Sequence, residues 1–224
     1  EGVDSILAEH EPDWIMYPKC YKDTDCTSAL FDVIDRHEKS RSRTARPLVR
    51  HSMRLDRVDS RHLAGLSQGF AFELFSPHIE DMDSSNNSSI VLKITGLDTT
   101  GFKYLVTGDT ETERWDRIVE IFGEHLACDV MAAAHHGSRT GANAATLINA
   151  RPHTVLISAG VDNQYGHPHS VAVKAYQSAA KAVFATNASR EGVCLFTRRV
   201  STGFETRLVG HPRIPRERSE CVIQ

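Results

Sequence analysis

The sequence predicts an α/β protein, a sheet covered by helices, and three observations carry the prediction. Segments of helical period alternate with short apolar runs of strand length through most of the chain. Polar clusters rich in His, Asp and Gly stand directly after several predicted strands, where α/β folds gather their ligands. The composition is that of an ordinary globular domain, 40% hydrophobic and 25% charged over 224 residues, and no apolar run approaches the ~18 residues of a membrane span. That length fits one domain, or one domain with a large insertion, and needs no disulfide or structural metal to bury a core.

The elements follow in order. Residues 3–10 read as a short helix and 13–17 (DWIMY) as a strand closed by Pro18. Thr24 or Asp25 caps a helix running to about His37, with Ala29, Leu30, Val33 and Ile34 on one face. From Arg36 to about Gly69 no period is clean, and the stretch reads as an insertion or irregular connection. Strands are predicted at 70–75, 89–94 and 103–107, the last two joined as a hairpin through Gly96, Asp98 and Gly101. An amphipathic helix follows over 111–126, turning Trp115, Ile118, Val119 and Phe122 inward. The second half repeats the alternation. A buried strand at 129–134 (DVMAAA), a short helix at 142–150 and a strand at 154–159 (TVLISA) precede a helix capped by Ser170, and closing strands lie at 182–186, 192–197 and 204–209.

A net charge of −3 conceals segregated charge. Residues 36–61 carry nine Lys/Arg against three Asp/Glu, and residues 198–218 carry six against two, so two basic stretches, the second ending in a tail over 210–224, sit on an acidic body. Such stretches are either solvated loops or a surface that releases counterions from a polyanion. The first has no interleaved aromatic side chain, which argues against base stacking on it. Five cysteines, odd in number and without C-x-x-C spacing, point to neither a disulfide framework nor a zinc knuckle, and the expected setting is reducing and cytoplasmic. The chain opens on Glu1 and not on methionine, so an upstream segment is expected.

Chemistry concentrates after the strands. Thr107-Gly108-Asp109-Thr110 follows KYLV, and there Asp109 is either a helix cap or a functional carboxylate. Ala134-His135-His136-Gly137-Ser138 follows DVMAAA; adjacent side chains diverge, so one imidazole is free to bind a metal while the other meets substrate. Tyr165-Gly166-His167-Pro168-His169 holds two histidines around a proline in the loop after TVLISAG. Asn86-Asn87-Ser88-Ser89 precedes SIVLKI and reads by itself as turn chemistry. Carboxylate and neutral imidazole are ligands for zinc, and also for manganese or iron. Two such ions bridged by Asp109 would activate water near neutral pH.

The succession LVTGD, DVMAAAHHGSRT and VLISAGVDNQYGHPH, with NNSSIVL before it, resembles the metallo-β-lactamase superfamily, in the branch found as the C-terminal domain of ComEC-type DNA-uptake proteins. The likeness spans roughly residues 72–197. It implies a metallo-β-lactamase-like αβ/βα sandwich, here N-terminally incomplete. It also implies two divalent ions, zinc or manganese, with Asp109 as bridging ligand and His135 as the foremost histidine ligand, although sequence does not decide between His135 and His136. His136 and His167 are the implied catalytic side chains, and Ser138, His169, Asn87 and Arg139 the implied substrate contacts. Two departures stand out. The H-x-H-x-D-H motif of the superfamily does not occur among the twelve histidines, and Thr186-Asn187 stands where many relatives carry their last ligand histidine. The chain is therefore expected to begin just after that motif, to bind metal weakly or not at all by itself, and to need the missing motif for activity.

These readings predict a metal-dependent hydrolase acting on a phosphodiester, with nucleic acid as the foremost substrate and the basic stretches steering it. The alternative is a catalytically degenerate or truncated domain that serves as a scaffold or nucleic-acid-binding module. Nucleophilic catalysis is the poorer fit, because Ser138 beside His136 lacks the spaced base and orienting acid it needs.

Overall fold

The computed structural model describes residues 2–19, 24–53, 55, 61–63, 67–83, 86–188, 194–200 and 203–209. At the N-terminal end a helix α1 (Gly2–His10) precedes a small βαβ unit made of β1 (Trp14–Pro18), α2 (Asp25–Arg41) and β2 (Val49–Met53). Thr24 caps α2 as its sequence predicts, its hydroxyl accepting from the Thr27 amide at 3.2 Å, and Lys39 and Arg41 in the last turn complement the helix dipole. β1 and β2 run parallel from Trp14 opposite Val49 to Pro18 opposite Met53, an arrangement that requires the helical crossover between them. Leu7, Ile34 and Leu48 bury the unit's own small core.

The expectation of an irregular connection from Arg36 onward is corrected here. The stretch contains the end of α2, four residues beyond His37, and the whole of β2. Its arginines fasten the unit together. Arg41, 8% exposed, donates to the carbonyls of Arg46 at 2.9 Å and Pro12 at 2.6 Å; Arg46 pairs with Asp13 at 2.8 Å; Arg50 meets Glu38 at 2.8 Å and also Asp35. The basic tail expected at 210–224 lies outside the described residues, as do 54, 56–60 and 64–66 of the first basic stretch.

The main sheet is mixed. Strands β3 (Arg61–His62), β4 (Phe70–Ser76), β5 (Val91–Gly96) and β6 (Lys103–Val106) are antiparallel neighbours, and β5–β6 is the predicted hairpin. From β6 the sheet continues in parallel through β7 (Val130–Ala132), β8 (Thr154–Ile157) and β9 (Ala182–Ala185). The crossovers are α3 (Thr112–Phe122), α4 (Ala144–Ala150) and α5 (Ser170–Ala179). All three step in one direction across the sheet, and right-handed crossovers of that kind place their helices on one face.

Both faces are covered. Phe72 and Phe75 lie an odd number of residues apart on β4 and so point to opposite sides. Phe75 packs edge-on against Phe122 of α3 at 5.1 Å, while Phe72 packs edge-on against Trp14 of β1 at 5.8 Å. The helical layer is anchored by Trp115, Ile118 and Phe122, spaced i, i+3, i+7, and all three are buried as predicted, with Val119 partly so. The last two strands, β10 (Cys194–Val200) and β11 (Gly203–Val209), form an antiparallel ladder with each other. The fold is thus a mixed α/β sheet with helices on one face and the N-terminal unit on the other.

Candidate active site

The three crossover strands end side by side, and the loops beyond the C-terminal ends of β6, β7 and β8 meet. After β6 the chain turns at Gly108, whose φ of +55° favours glycine. A Cβ there would stand 2.6 Å from that of Ser89, so only glycine lets the loop close on the Asn/Ser turn. Ser89 Oγ accepts from the Asp109 amide at 2.9 Å, and Asn87 Oδ1 accepts from the Glu111 amide at 2.9 Å. The cap position of α3 is Glu111, without a side-chain cap bond, and the Thr110 hydroxyl donates to the Thr107 carbonyl at 2.7 Å. Neither Asp109 nor Thr110 caps the helix, which leaves the Asp109 carboxylate for other work.

After β7 the predicted strand stops early because the backbone turns left-handed. His135, His136 and Gly137 hold φ values of 48°, 55° and 78° in succession. For L-residues that region costs about 1–2 kcal/mol each, and strain of this sort collects at functional sites. The turn is held by the His135 amide on the Gly108 carbonyl at 3.0 Å and the Ser138 amide on the His135 carbonyl at 2.8 Å. A Cβ on Gly137 would lie 2.7 Å from Pro168, so the tandem-histidine turn sits hard against the third loop. There the His169 amide donates to the Gly137 carbonyl at 3.0 Å, and His169 Nδ1 accepts from the Arg139 amide at 3.1 Å. The neutral His169 ring therefore carries its proton on Nε2.

These loops bring Asp109, His135, His136, His167 and His169 together. The His135 ring is 5.5 Å from His167 and 6.5 Å from His136; His136 and His167 are 6.3 Å apart, and His167 and His169 4.8 Å. His136 Nδ1 donates to the Ser158 carbonyl, which only accepts, at 2.7 Å. The other ring nitrogen, Nε2, faces Asp109 Oδ1 at 3.5 Å. His135 Nδ1 is buried without a hydrogen bond, 3.3 Å from Glu111 Oε1. Burial, then the electrostatic influence of the neighbouring His169, His135 and His136, lower the His167 pKa from its ordinary value, with Asp109 opposing.

Not every expected residue reaches the open face. Asn87 and Ser138, read from sequence as substrate contacts, are 9% and 5% exposed. Asn87 holds the Glu111 backbone, and the Ser138 hydroxyl lies 3.0 Å from that of Thr140 within its own loop. Arg139 is exposed beside His169. Helix α5 has His169 at its cap position, not Ser170. Glu111, which the sequence reading passed over, is the carboxylate facing His135 and also accepts from the Thr140 hydroxyl at 3.2 Å. An acid two residues beyond Asp109, at the foot of a helix, was the available signal. Asn163 and Asn187 were missed as well. Asn163 accepts from the His167 amide at 2.9 Å and donates to its carbonyl at 2.6 Å, and Asn187 donates to the same carbonyl at 3.0 Å. Asn187 thus braces the histidine loop.

Among the described residues no group of three or more His, Cys, Asp and Glu is arranged to hold a metal ion. The donors nevertheless fit a cation in kind. His136 Nε2 with Asp109 Oδ1, and His135 Nδ1 with Glu111 Oε1, are two imidazole–carboxylate pairs, each with room for a proton or a cation between its members. Among the described residues no helix is long and apolar enough to cross a membrane.

No protein-family model matches the chain. Among characterised proteins it is similar to ComE operon protein 3 of Bacillus subtilis, 35% identical over 106 residues, which is 47% of this chain and 13% of that protein. It is also similar to competence protein ComA of Neisseria gonorrhoeae, 32% identical over 100 residues, covering 45% of this chain and 14% of that protein. Recombination protein 2 of Haemophilus influenzae is 31% identical over 102 residues, covering 46% and 12% respectively. The chain thus matches a small part of much longer competence and recombination proteins, over somewhat less than half of its own length.

Proposed function

We propose that this chain is a metal-dependent hydrolase of the metallo-β-lactamase superfamily, in the ComEC-type branch, and that it cleaves phosphodiester bonds of nucleic acid with metal-activated water. The observation that carries the reading is the meeting of Asp109, the tandem histidines and His167 from the ends of three adjacent strands. Competence and recombination, the words that name the relatives, are both processes of nucleic acid, which supports the substrate class.

Asp109, His135 and His136 would hold the divalent ions, zinc or manganese, leaving coordination positions open to water and substrate. When bound, such ions lower the pKa of water towards neutrality and offset charge on phosphoryl oxygens. Glu111 orients His135, and the Ser158 carbonyl fixes the His136 tautomer so that Nε2 faces the reaction centre. His167 offers its imidazole to substrate or leaving group, while the Nε2 proton of His169 and the exposed Arg139 guanidinium are donors for phosphate oxygens.

Asp109→Ala in the full chain is expected to lower manganese- or zinc-dependent hydrolysis of an oligonucleotide by about 100-fold or more, to weaken metal binding by calorimetry, and to leave thermal unfolding without metal unchanged. Retained hydrolysis overturns the ligand role. Oligonucleotide binding without turnover under every metal condition favours the scaffold reading.

A further inference from the structure

We infer that Tyr165 is a stacking platform for an unpaired nucleobase, so that the substrate taken by the site is single-stranded nucleic acid; the inference rests on the reading of the site as a phosphodiesterase. Tyr165 is 67% exposed, an unusual position for a large ring in a loop stitched down on every side. Its ring lies 5.8 Å from that of His167 at an interplanar angle of 26°, and His167 in turn lies 6.3 Å from His136 at 24°. Tyr165 thus lies near-parallel to His167, which lies near-parallel to His136, whose Nε2 faces the Asp109 carboxylate. With 67% of its surface exposed, the Tyr165 ring is available for a base to stack beside the site histidines.

The loop is prepared for such contact. Asn163 and Asn187 bracket the His167 backbone, and the Gly166 amide donates to the Asn163 carbonyl at 3.1 Å. A Cβ on Gly166 would meet nothing within 4 Å, so there is open space beside the tyrosine. Holding the ring in place before binding removes part of the ordering cost of association. The exposed Arg139 backbone is tied to His169, whose ring is 4.8 Å from His167, so a phosphate donor stands on the same run of side chains as the stacking ring. Inside a duplex a base offers no free face to such a ring, whereas every unpaired base does.

The test measures binding of the full chain to labelled oligothymidylate, to the same strand carrying abasic sites, and to oligouridylate, by fluorescence anisotropy. One base–aromatic stack corresponds to about 5- to 150-fold in affinity. Tyr165→Ala is expected to weaken binding to oligothymidylate within that range, to leave the abasic strand unaffected, and to bring the two strands to similar affinity, while Tyr165→Trp keeps the preference. Equal loss on thymidylate and uridylate is expected, since stacking does not read the sugar. Unchanged binding of Tyr165→Ala to oligothymidylate overturns the inference, as does an equal loss on the abasic strand, which would mark a contact to backbone or fold. Hydrolysis of the abasic strand tests the phosphodiesterase reading separately, because that strand keeps every phosphodiester and lacks the base.

Discussion

Single atoms decide how the Asp109 loop is placed. Gly108 carries a left-handed φ and leaves no room for a methyl against Ser89, whose hydroxyl then holds the Asp109 amide. Gly108→Ala is expected to cost roughly 2–4 kcal/mol, combining left-handed strain with overpacking. Denaturant unfolding measures it, and a cost under about 0.5 kcal/mol, the size of an ordinary surface substitution, would mean that the loop moves aside freely. A similar economy governs the histidines. His136 is committed through one ring nitrogen to a carbonyl and His169 through one to an amide, so each presents a defined nitrogen outward. Ser138 and Asn87 carry equally polar side chains, yet theirs are used up in holding the loops.

At the scale of elements, three short parallel strands carry the site, and their burial is what keeps the loops in register. β7 is only three residues long, yet Val130 and Met131 are buried and Cys128 just before it is 7% exposed. Burial, with the Asp129 charge adding to it, pushes the Cys128 thiol up to about 12. Since the thiolate is the reactive form, a thiol reagent at about pH 8 is expected to label the exposed Cys26 in the folded protein and Cys128 only after unfolding. Peptide mapping by mass spectrometry reads both, and equal labelling in the folded state would contradict a closed helical layer over β7. Helix α3 supplies much of that layer through Trp115, Ile118 and Phe122, and its first residues sit directly behind the Asp109 loop.

For the whole molecule, three arginines of the first basic stretch, which look like part of a binding surface in sequence, fasten the N-terminal unit instead. Arg41, Arg46 and Arg50 are engaged by carbonyls and carboxylates of the N-terminal unit. Arg41→Ala alone is expected to cost about 1–3 kcal/mol, because the buried guanidinium that ties the Arg46 and Pro12 carbonyls together is lost. Replacing all three is expected to lower the unfolding midpoint and leave the salt dependence of oligonucleotide binding unchanged. A slope reduced by about 0.7 for each arginine lost would return them to phosphate contact. Period and punctuation made most of the fold legible: the hairpin, the crossover helices and the order of the strands are local patterns, and the clusters after LVT, DVMAAA and TVLISAG announced themselves by chemistry at strand ends. The sequence by itself thus determined the α/β class, the positions of Asp109, the tandem histidines and the histidine loop, and the abundance of arginine after α2. Only the tertiary structure decided which of those side chains meet, that Glu111 faces His135, that Asn163 and Asn187 brace His167, and that Tyr165 stands open beside it. The physical reason is range. Periodicity and turn chemistry act over a few residues, whereas a hydrogen bond from Asn187 to His167 or an arginine on a distant carbonyl exists only once the sheet has brought remote segments together.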